Sequence, residues 1–388
     1  MTITFFSNFL NDHQLPFCQA MIDEIGADNF RFVAFRKIDP ERVAMGFVDM
    51  NEIYPFVVKA YNGGDSLAEA YNLMLSSDVV IIGSENGMPV DKRIKEGKLT
   101  FRYNERLLKR GDWLLLDPRV QKSIYNRFVK YRASKYPLYV LCASAYTARD
   151  LSLCGFPKTK CLKWGYFPKL KVYDNVERLI EEKSTRLKHQ EDVSILWVGR
   201  LIGLKHPEVA IEIAQRLKKD GINFHLSIVG TGSLFNVLES QIKSKGLLNC
   251  VTMHGAIPPT EVRKLMEEST HFIFTSDKRE GWGAVLNEAL NSACVVYAND
   301  AIGSVPFMLK DGINGFTYHK GNIDELYSKL LKVVNDKELK HRISLSAYSS
   351  MNDYWNAQVA AKRLLEFINN YRGVYVSIDE YGPCSKCI

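Results

Sequence analysis

The sequence predicts an α/β protein with two doubly wound parallel sheets, and three observations lead to that fold class. Short apolar runs of strand character alternate with segments of helical periodicity along most of the 388 residues. Several of these apolar runs end at a glycine, as at Gly83 and Gly199. The alternation falls into two halves of similar size, and no short-period repeat interrupts it. A chain of this length can bury two separate hydrophobic cores.

The first half, residues 1–168, is predicted to form one sheet domain. Its predicted strands cover residues 3–7, 30–35, 78–83, 98–102 and 138–143. Its predicted helices cover residues 15–25, 67–76, 120–134 and 145–154. Residues 169–192 are charged and poor in long apolar runs, so we expect them to connect the domains and to hold one helix.

The second half, residues 193–350, is predicted to form the other sheet domain. Its predicted strands cover residues 193–199, 224–229, 251–254, 271–274 and 294–298. Its predicted helices cover residues 209–217, 235–245, 260–268, 284–289, 323–334 and 339–348. Residues 351–388 follow as a long helix over 352–371 and a tail. Cys384 and Cys387 form a C-x-x-C pair in that tail, but no second ligand pair with zinc spacing is present, so we expect the tail to be disordered.

Composition excludes several classes of protein. Hydrophobic residues make up 46% and charged residues 24% of the chain, as in ordinary globular proteins. No apolar run approaches the roughly 20 residues that a membrane span needs. The N-terminus predicts a buried strand rather than a signal peptide, so we expect a cytoplasmic protein. The eight scattered cysteines suit buried, reduced thiols.

The stretch from Thr275 to Gly303 gives the strongest functional signal. Gly281 and Gly283 predict a tight turn between the strand at 271–274 and the helix at 284–289. The unpaired amides in the first turn of that helix predict an anion site. Glu280 precedes the helix and Glu288 lies inside it. Because carboxylates accept hydrogen bonds from vicinal hydroxyls, the pattern suits a nucleotide-sugar, which has a diphosphate between two hydroxyl-bearing ends.

The segment from Glu280 to Glu288, E-G-W-G-A-V-L-N-E, resembles the donor signature of the retaining glycosyltransferases of family 4. The resemblance implies the GT-B arrangement of two Rossmann-like domains, with the acceptor on residues 1–168, the donor on residues 193–350 and the last helix crossing back to the first domain. It also implies that Glu280 holds the transferred sugar and that Glu288 holds the ribose. The longer run from Ser276 is similar to transferases of bacterial capsule and lipopolysaccharide biosynthesis.

Gly199, Arg200 and Lys205 match the family's G-R-x(n)-K pattern, which places both cations on the donor diphosphate. Fixed cations can stabilise a departing nucleoside diphosphate without a metal, and no D-x-D metal-binding pair occurs in the chain. We therefore expect a metal-independent enzyme without a cofactor. The other donor-binding candidates follow strand ends or line the glycine turn: Gly230, His254, Gly255, Ile257, Gly281, Trp282, Gly283, Ala284 and Val285. We expect a UDP- or GDP-sugar as the donor, and the sequence does not distinguish between the two bases.

The first domain offers fewer candidates. Asn8 and His13, in the loop after the first strand, are acceptor-side candidates, although an exposed loop histidine is equally compatible with the pattern. Glu105 lies where relatives often place a histidine near the reacting carbon. It is a candidate catalytic residue that orients an acceptor hydroxyl or balances positive charge, and a structural ion pair is its alternative.

Basic residues recur between Lys92 and Lys135, whereas the whole chain carries a net charge of +7. A solvated face, an anionic membrane leaflet, an anionic acceptor and nucleic acid are all compatible with such a run. Tyr125, Phe128, Tyr131 and Tyr136 lie among the charges, which favours a membrane interface. We expect a protein at the inner face of the membrane that does not bind nucleic acid.

The sequence thus predicts a retaining transferase that moves a sugar from a nucleoside diphosphate to a lipid-linked or saccharide acceptor. A sugar-nucleotide epimerase or phosphorylase of the same fold is a second enzymatic hypothesis. A non-catalytic nucleotide-sugar or nucleic-acid binding protein is the hypothesis from another class. Donor hydrolysis in the absence of acceptor separates an enzyme from a binder.

Overall fold

The computed structural model describes residues 1–39, 48–185, 193–373 and 380–387. The chain forms two compact units, one of Met1–Lys169 with Asn356–Ile388 and the other of Leu170–Trp355. Each unit contains one parallel sheet, of seven strands in the first and six in the second. The α/β fold class with two doubly wound parallel sheets is therefore confirmed.

The sheet of the first unit has the order β3-β2-β1-β4-β5-β6-β7. Its strands are β1 (Ile3–Ser7), β2 (Phe30–Ala34), β3 (Val57–Lys59), β4 (Val79–Ile82), β5 (Thr100–Asn104), β6 (Leu138–Cys142) and β7 (Cys161–Lys163). Its helices are α1 (Leu15–Ile25), α2 (Met50–Ile53), α3 (Gly64–Ser76), α4 (Val90–Lys95), α5 (Pro118–Arg127) and α6 (Thr147–Leu153). The central strands β1 and β4 are buried along their whole length, because helices cover both faces of a parallel sheet.

The sheet of the second unit has the order β10-β9-β8-β11-β12-β13. Its strands are β8 (Val193–Val198), β9 (Phe224–Val229), β10 (Val251–Gly255), β11 (His271–Phe274), β12 (Val295–Asn299) and β13 (Phe316–Tyr318). Its helices, with α7 before the first strand, are α7 (Val176–Thr185), α8 (Glu208–Lys219), α9 (Phe235–Ser244), α10 (Pro259–Glu268), α11 (Val285–Asn291), α12 (Val305–Met308), α13 (Ile323–Val334) and α14 (Lys337–Asp353). The helix α15 (Ala357–Tyr371) belongs to the first unit and packs against α1.

Two predicted helices are interrupted by buried aromatic residues. The helix predicted over 120–134 ends at Arg127, because Phe128 leaves helical geometry (φ −132°, ψ −60°) and buries its ring. The helix predicted over 352–371 is two helices, α14 and α15. The buried Trp355 separates them, and the Asn356 side chain caps α15 by accepting from the Val359 amide. At both places, burying a large aromatic ring is more favourable than continuing the helix, so the helix ends there.

The prediction of a disordered tail is wrong. Cys384 and Cys387 are only 1% and 6% exposed. The segment 380–387 docks along the free edge of β7, where Lys163 N–H donates to Ser385 O (2.7 Å) and Cys387 N–H donates to Cys161 O (3.1 Å). A single antiparallel bridge joins Leu162 to Lys386. Residues 380–387 therefore pair with the edge of β7 without forming a further strand.

The predicted connection, residues 169–192, contains α7. Lys183 on this helix is buried, and its ammonium donates to the carbonyls of Met266 and Ser269 (2.9 Å each) and of Ser292. Burial lowers the pKa of Lys183. These bonds fix α7 to the second unit. The rest of the predicted connection, residues 186–192, lies outside the described residues.

Candidate functional site

Two glycine turns bring the ends of β8 and β9 into contact in the second unit. Gly230 has φ +132°, and a Cβ there would lie 1.9 Å from the Gly199 carbonyl oxygen. Gly232 has φ +157°, and a Cβ there would lie 2.4 Å from the carbonyl oxygen of Leu201. Leu201 N–H in turn donates to Thr231 O (2.8 Å). Only glycine permits this approach, which packs the backbone of residues 199–201 against the turn at 230–232.

Arg200 and Lys205 follow that strand end, as the sequence predicts. The guanidinium of Arg200 is exposed and has no carboxylate partner within the described ranges. Lys205 ends the 3₁₀ turn Gly203–Lys205, and its ammonium pairs with the carboxylate of Glu280. The two side chains of this pair are 15% and 14% exposed, so water screens their attraction only in part. The structure thus brings together Lys205 and Glu280, which are far apart in sequence.

The Glu280 carboxylate is held on one side. Lys205 and the Ser276 hydroxyl (3.0 Å) both donate to its Oε2 atom. Its Oε1 atom has no hydrogen-bond partner among the residues that the structure covers. Gly283, with φ +81°, lets the turn pack closely beside Glu280, because a Cβ there would lie 2.3 Å from the Phe274 ring and 3.4 Å from Glu280 Cγ. Glu280 therefore presents a carboxylate oxygen that can accept from ligand hydroxyls.

A buried hydrogen-bond chain joins β8 to this loop. The Trp197 indole N–H donates to Thr275 Oγ1 (2.8 Å), and the Thr275 hydroxyl donates to the Lys205 carbonyl. Asp277 N–H also donates to Leu204 O (3.0 Å). Sequence reasoning missed Trp197 and Thr275, because their contact depends on the pairing of β8 with β11. The only signal was that both residues lie at strand ends.

Hydrogen bonds among His206, Asp277 and Arg279 lie next to this chain in sequence, and we call these three residues the polar clamp. His206 has φ +48° and places Nε2 3.2 Å from Asp277 and Nδ1 2.8 Å from Glu208. Arg279 donates to both carboxylate oxygens of Asp277. Burial alone would raise the pKa of Asp277, but the bonds from Arg279 and His206 outweigh it and lower that pKa. The clamp fixes the segment that ends in Glu280.

The remaining donor-side candidates surround the glycine turn. Trp282 is fully buried, donates to Asn287 Oδ1 (2.9 Å) and packs against Phe307 and Trp355, so its side chain supports the turn from inside the unit. Ala284 precedes α11 and Val285 begins it. Glu288 lies inside α11 and is partly exposed. Gly281 is buried.

The predicted nucleobase segment lies at the end of β10. Gly255 O accepts from Gly230 N–H (2.7 Å), which joins this segment to the glycine turn. His254 Nε2 lies 3.1 Å from Ser227 Oγ, and burial lowers the pKa of His254, with the nearby His225 adding to the effect. Ile257 is half-buried just beyond the strand.

In the first unit, the structure brings together two candidates that the sequence predicts separately. The His13 ring stacks on Tyr166, with centroids 5.6 Å apart and planes 13° apart. The Tyr166 hydroxyl donates to Glu105, which also pairs with Lys109. Tyr166, which sequence reasoning did not select, therefore links His13 to Glu105. Asn8 is exposed in the same unit, and its carbonyl accepts from Arg36 N–H (2.7 Å).

The predicted basic face of residues 92–135 is only partly a surface. Arg93 is fully buried and donates to the carbonyls of Met74 (2.9 Å) and Ser77 (2.7 Å). Arg102 is 2% exposed and pairs with Glu85 (2.8 Å). Two of the aromatic residues interleaved with the charges, Phe128 and Tyr131, are buried in the core. The membrane expectation therefore has to depend on other residues of this segment.

No three His, Cys, Asp or Glu side chains in the described ranges are grouped so that they could hold a metal ion. None of the helices seen in these ranges is long and apolar enough to cross a bilayer.

The sequence of the second unit matches a family of known enzymes. Residues 180–350 match the model of the glycosyl transferases group 1. Over 205 residues, the chain is 28% identical to the amylovoran biosynthesis glycosyltransferase AmsK of Erwinia amylovora, and the match covers 50% of each chain. It is 26% identical over 175 residues to the poly(ribitol-phosphate) alpha-N-acetylglucosaminyltransferase of Staphylococcus aureus, with 45% of this chain and 34% of that one covered. The chain thus spans about half or less of the length of these relatives.

Solved structures match over nearly the whole chain. HepE of Anabaena, in complex with UDP, superimposes with a TM-score of 0.69 over 95% of this chain and 100% of that one, at 16% identity. The lipopolysaccharide outer core galactosyltransferase WaaB superimposes with a TM-score of 0.62 over 91% of this chain and 98% of that one, at 18% identity. At such identities, the likeness establishes the fold. Residues 180–350 therefore resemble the glycosyl transferases group 1, and the chain has the GT-B fold.

Proposed function

We propose that the protein transfers a sugar from a nucleoside diphosphate sugar to a lipid-linked or saccharide acceptor, with retention of anomeric configuration. The donor is a UDP- or GDP-sugar. The proposal follows the family 4 type of transferase and places the reaction in surface polysaccharide biosynthesis. Relatives named for amylovoran and capsular polysaccharide biosynthesis support that setting.

One observation supports the donor role most directly. Lys205 and Glu280 form a partly buried pair, and the exposed Arg200 follows the end of β8 five residues before Lys205. Ligands of open parallel sheets bind at the carboxyl ends of the strands. Two cations and a carboxylate that follow neighbouring strands suit a ligand that has a diphosphate and a hydroxyl-bearing sugar. A purely structural ion pair would not require the glycine turns that pack the backbone of residues 199–201 against residues 230–232.

The chemistry follows from those charges. As the bond from the sugar to the diphosphate breaks, negative charge develops on the leaving diphosphate. Arg200 and Lys205 would stabilise that charge by fixed electrostatic attraction, and Arg200 can form two parallel bonds to a phosphate. Glu280 would accept from sugar hydroxyls through Oε1 and so orient the anomeric carbon. Glu288 would hold the ribose.

The acceptor would use the first unit. The stacked rings of His13 and Tyr166 offer an apolar plane, and Glu105 beside them offers a hydrogen-bond acceptor. Carbohydrate recognition combines such apolar planes with carboxylates, because a sugar has both C–H faces and hydroxyl edges. Glu105 would then orient the attacking hydroxyl of the acceptor.

A donor panel tests the proposal. The protein would be incubated with UDP- and GDP-sugars without acceptor, and thermal shift and nucleotide release would be measured in parallel. We expect one donor to stabilise the protein and to be hydrolysed slowly. Stabilisation without release from any donor would indicate a binding protein. Release of an epimerised nucleotide-sugar would indicate an epimerase.

Metal independence is tested in the same assay. We expect EDTA to leave turnover unchanged, because the two cations take the place of a divalent ion. Loss of turnover in EDTA, restored by manganese but not by excess donor, would contradict this part of the proposal.

A further inference from the structure

An apolar groove lies on the surface of the first unit, next to a short segment with exposed hydrophobic side chains. The groove has a volume of about 500 Å³, and its lining includes Leu115, Ile124, Tyr125 and Leu153. The 3₁₀ turn Asp112–Leu116 borders it. We call the turn together with α5 the anchor segment, residues 112–127. The groove, the anchor segment and Cys154, which also lines the groove, all belong to the first unit.

Exposed apolar side chains are concentrated at this place. Leu116 is 82% exposed, Trp113 60%, Tyr125 54% and Leu153 51%. Hydration of so much apolar surface is unfavourable, and a concentration of exposed apolar side chains beside a groove favours an interaction site. Single exposed hydrophobic residues elsewhere in the chain, such as Leu248, do not border the groove.

The exposed side chains are held in place rather than loose. Arg149 binds both carboxylate oxygens of Asp112 (3.0 and 2.6 Å), which ties the turn to α6. The Trp113 indole N–H donates to Arg110 O (3.0 Å), and the ring lies over Gly111, where a Cβ would be 2.8 Å away. Asp117 caps α5 by accepting from the Arg119 amide (2.8 Å). The fold therefore presents Trp113 and Leu116 outward in a fixed geometry.

The charges around the groove identify the partner. Basic residues on or near the anchor segment are Lys109, Arg110, Arg119, Lys122 and Arg127, against Asp112, Asp117 and the Glu105 that pairs with Lys109. Lys122 lines the groove itself, and Arg119 is 93% exposed at its side chain. Tryptophan and tyrosine favour the headgroup level of a bilayer, and neighbouring cations are attracted to anionic lipids. The patch fits a membrane leaflet that contains anionic phospholipid.

We propose that the anchor segment inserts Trp113 and Leu116 into an anionic bilayer and that the groove takes an acyl chain of a phospholipid. Insertion of apolar side chains and attraction of cations act together, as stable attachment of an interfacial protein requires two such contributions. The inference deepens the proposed function, since a lipid-linked acceptor lies at such a surface. Its test does not depend on glycosyl transfer.

Tryptophan fluorescence reports insertion directly. The chain has five tryptophans, and the four other than Trp113 are at most 3% exposed. Vesicles of phosphatidylglycerol and phosphatidylcholine, with or without brominated acyl chains, would be added to the whole protein. We expect a blue shift, protection from acrylamide and quenching by brominated chains, all absent in Trp113→Phe. In that background, Leu153→Trp should restore quenching by reporting from the groove.

Matched substitutions distinguish binding through the anchor segment from non-specific adsorption to vesicles. Leu116→Glu should lower partitioning onto anionic vesicles at least about tenfold, because a full leucine side chain no longer inserts. Leu248→Glu, at a leucine 62% exposed in the second unit, should leave partitioning unchanged. Circular dichroism checks that both variants fold.

Three outcomes would overturn the inference. These are no flotation with anionic vesicles, flotation without quenching of Trp113, and equal effects of Leu116→Glu and Leu248→Glu. Quenching of Trp113 without quenching at Leu153→Trp would remove the acyl-chain part. Because none of these measurements uses a sugar donor, their failure leaves the proposed function untouched, and a failed transfer assay leaves the vesicle result standing.

Discussion

Lys205 contacts the loop of residues 275–280 in two ways: its ammonium pairs with Glu280, and its carbonyl accepts from Thr275. Arg200 makes no comparable contact in the described ranges. Their substitution should therefore have unequal consequences for stability, although both cations are proposed to serve the same diphosphate.

We expect Arg200→Ala and Lys205→Ala each to reduce kcat/KM roughly ten- to several-hundred-fold, which corresponds to about 1–3 kcal/mol of transition-state stabilisation. Lys205→Ala should also lower the melting temperature, because Glu280 would keep a partly buried charge without its cation. Steady-state kinetics and calorimetry measure both effects. Lys278→Ala, an exposed lysine on the same loop, is the control. Full turnover in Arg200→Ala and Lys205→Ala would place the diphosphate elsewhere.

The two glutamates should differ in kinetics. Glu280 is proposed to orient the reacting sugar, so Glu280→Gln should chiefly lower kcat. Glu288 is proposed to hold the ribose in ground and transition states alike, so Glu288→Gln should chiefly raise the donor KM. Calorimetric titration with the nucleoside diphosphate alone should show near-normal binding to Glu280→Gln and weaker binding to Glu288→Gln. The reverse order would exchange the two roles.

His271 makes the stability of the second unit sensitive to acid. The side chain is fully buried, with Nδ1 3.2 Å from the Tyr297 hydroxyl and no hydrogen-bond partner for Nε2 in the described part of the chain. Burial, helped by the charges of Lys340 and Lys183, lowers the pKa of His271 from 6.5 to about 3. Below pH 6.5 the unfolded state therefore binds a proton that the folded state does not, and stability falls until the pH reaches about 3.

We expect the free energy of unfolding to decrease by up to about 1.4 kcal/mol per pH unit from this group between those limits. The double substitution His271→Phe with Tyr297→Phe should remove this part of the slope, since it removes both partners together. Urea titrations at pH 7 and pH 5 measure it. His319→Phe, at an exposed histidine, should keep the slope. An unchanged slope in the double variant would assign the acid sensitivity to other groups.

Sequence alone locates the charged residues of the site but not the groups that hold them. Arg200, Lys205 and Glu280 are recognisable, because they match the patterns of the family that the sequence resembles. Ser276 and Thr275 are not, because a hydroxyl becomes informative only when its partner is known. Tyr166 was missed for the same reason: its role depends on β7 lying beside β6, which brings residue 166 near residue 105.

At the scale of elements, the chain from Trp197 through Thr275 to Lys205 couples a strand to two loops. Because Thr275 is 2% exposed, neither bond can be replaced by water without rearrangement. The Thr275 hydroxyl thus contributes to the position of both the loop that carries Glu280 and the turn that carries Lys205.

Thr275→Val keeps the volume of the side chain but leaves the Trp197 N–H and the Lys205 carbonyl without this partner. We expect a loss of about 1–3 kcal/mol in stability and a several-fold lower kcat. Thr275→Ser retains the hydroxyl and should recover most of both. Kinetics and chemical denaturation of the three proteins measure the effect. If Thr275→Ser were as impaired as Thr275→Val, the methyl group rather than the hydroxyl would be the important feature.

The observed boundaries of helices and strands show where hydrophobic periodicity does not predict secondary structure. The strand at 271–274 is confirmed residue for residue, because a short apolar run between polar residues has one arrangement in a parallel sheet. The three-residue strands β3, β7 and β13 are too short to show any period. The break after Arg127 depends on whether Phe128 reaches the core, which is a property of packing rather than of local sequence.

At the scale of the whole molecule, the alternation of strand-like and helix-like segments predicts two sheets. It does not predict where the C-terminal segment lies. No local pattern marks residues 380–387 as a strand, since they pair only with a distant edge. The Cys142 thiol lies beneath this segment, and burial together with the thiols of Cys161 and Cys387 raises its pKa well above the usual value.

Removal of residues 380–388 should uncover these thiols. We expect Cys142 and Cys161 to be unreactive toward a thiol reagent in the full chain and to react in the truncated one, with a lower melting temperature. Cys18, buried elsewhere in the first unit, should stay unreactive in both and serves as the control. Mass spectrometry of the labelled peptides identifies the sites. Rapid labelling of Cys161 in the intact chain would show that the segment detaches readily.

The docked segment also determines how the protein behaves in concentrated solution. Without it, β7 would present unpaired N–H and C=O groups, and an open edge of this kind can pair with the same edge of another copy. With the edge paired inside one chain, that route to self-association is closed. A shortened chain should therefore form concentration-dependent oligomers at size-exclusion chromatography, whereas the full chain should not associate through this edge.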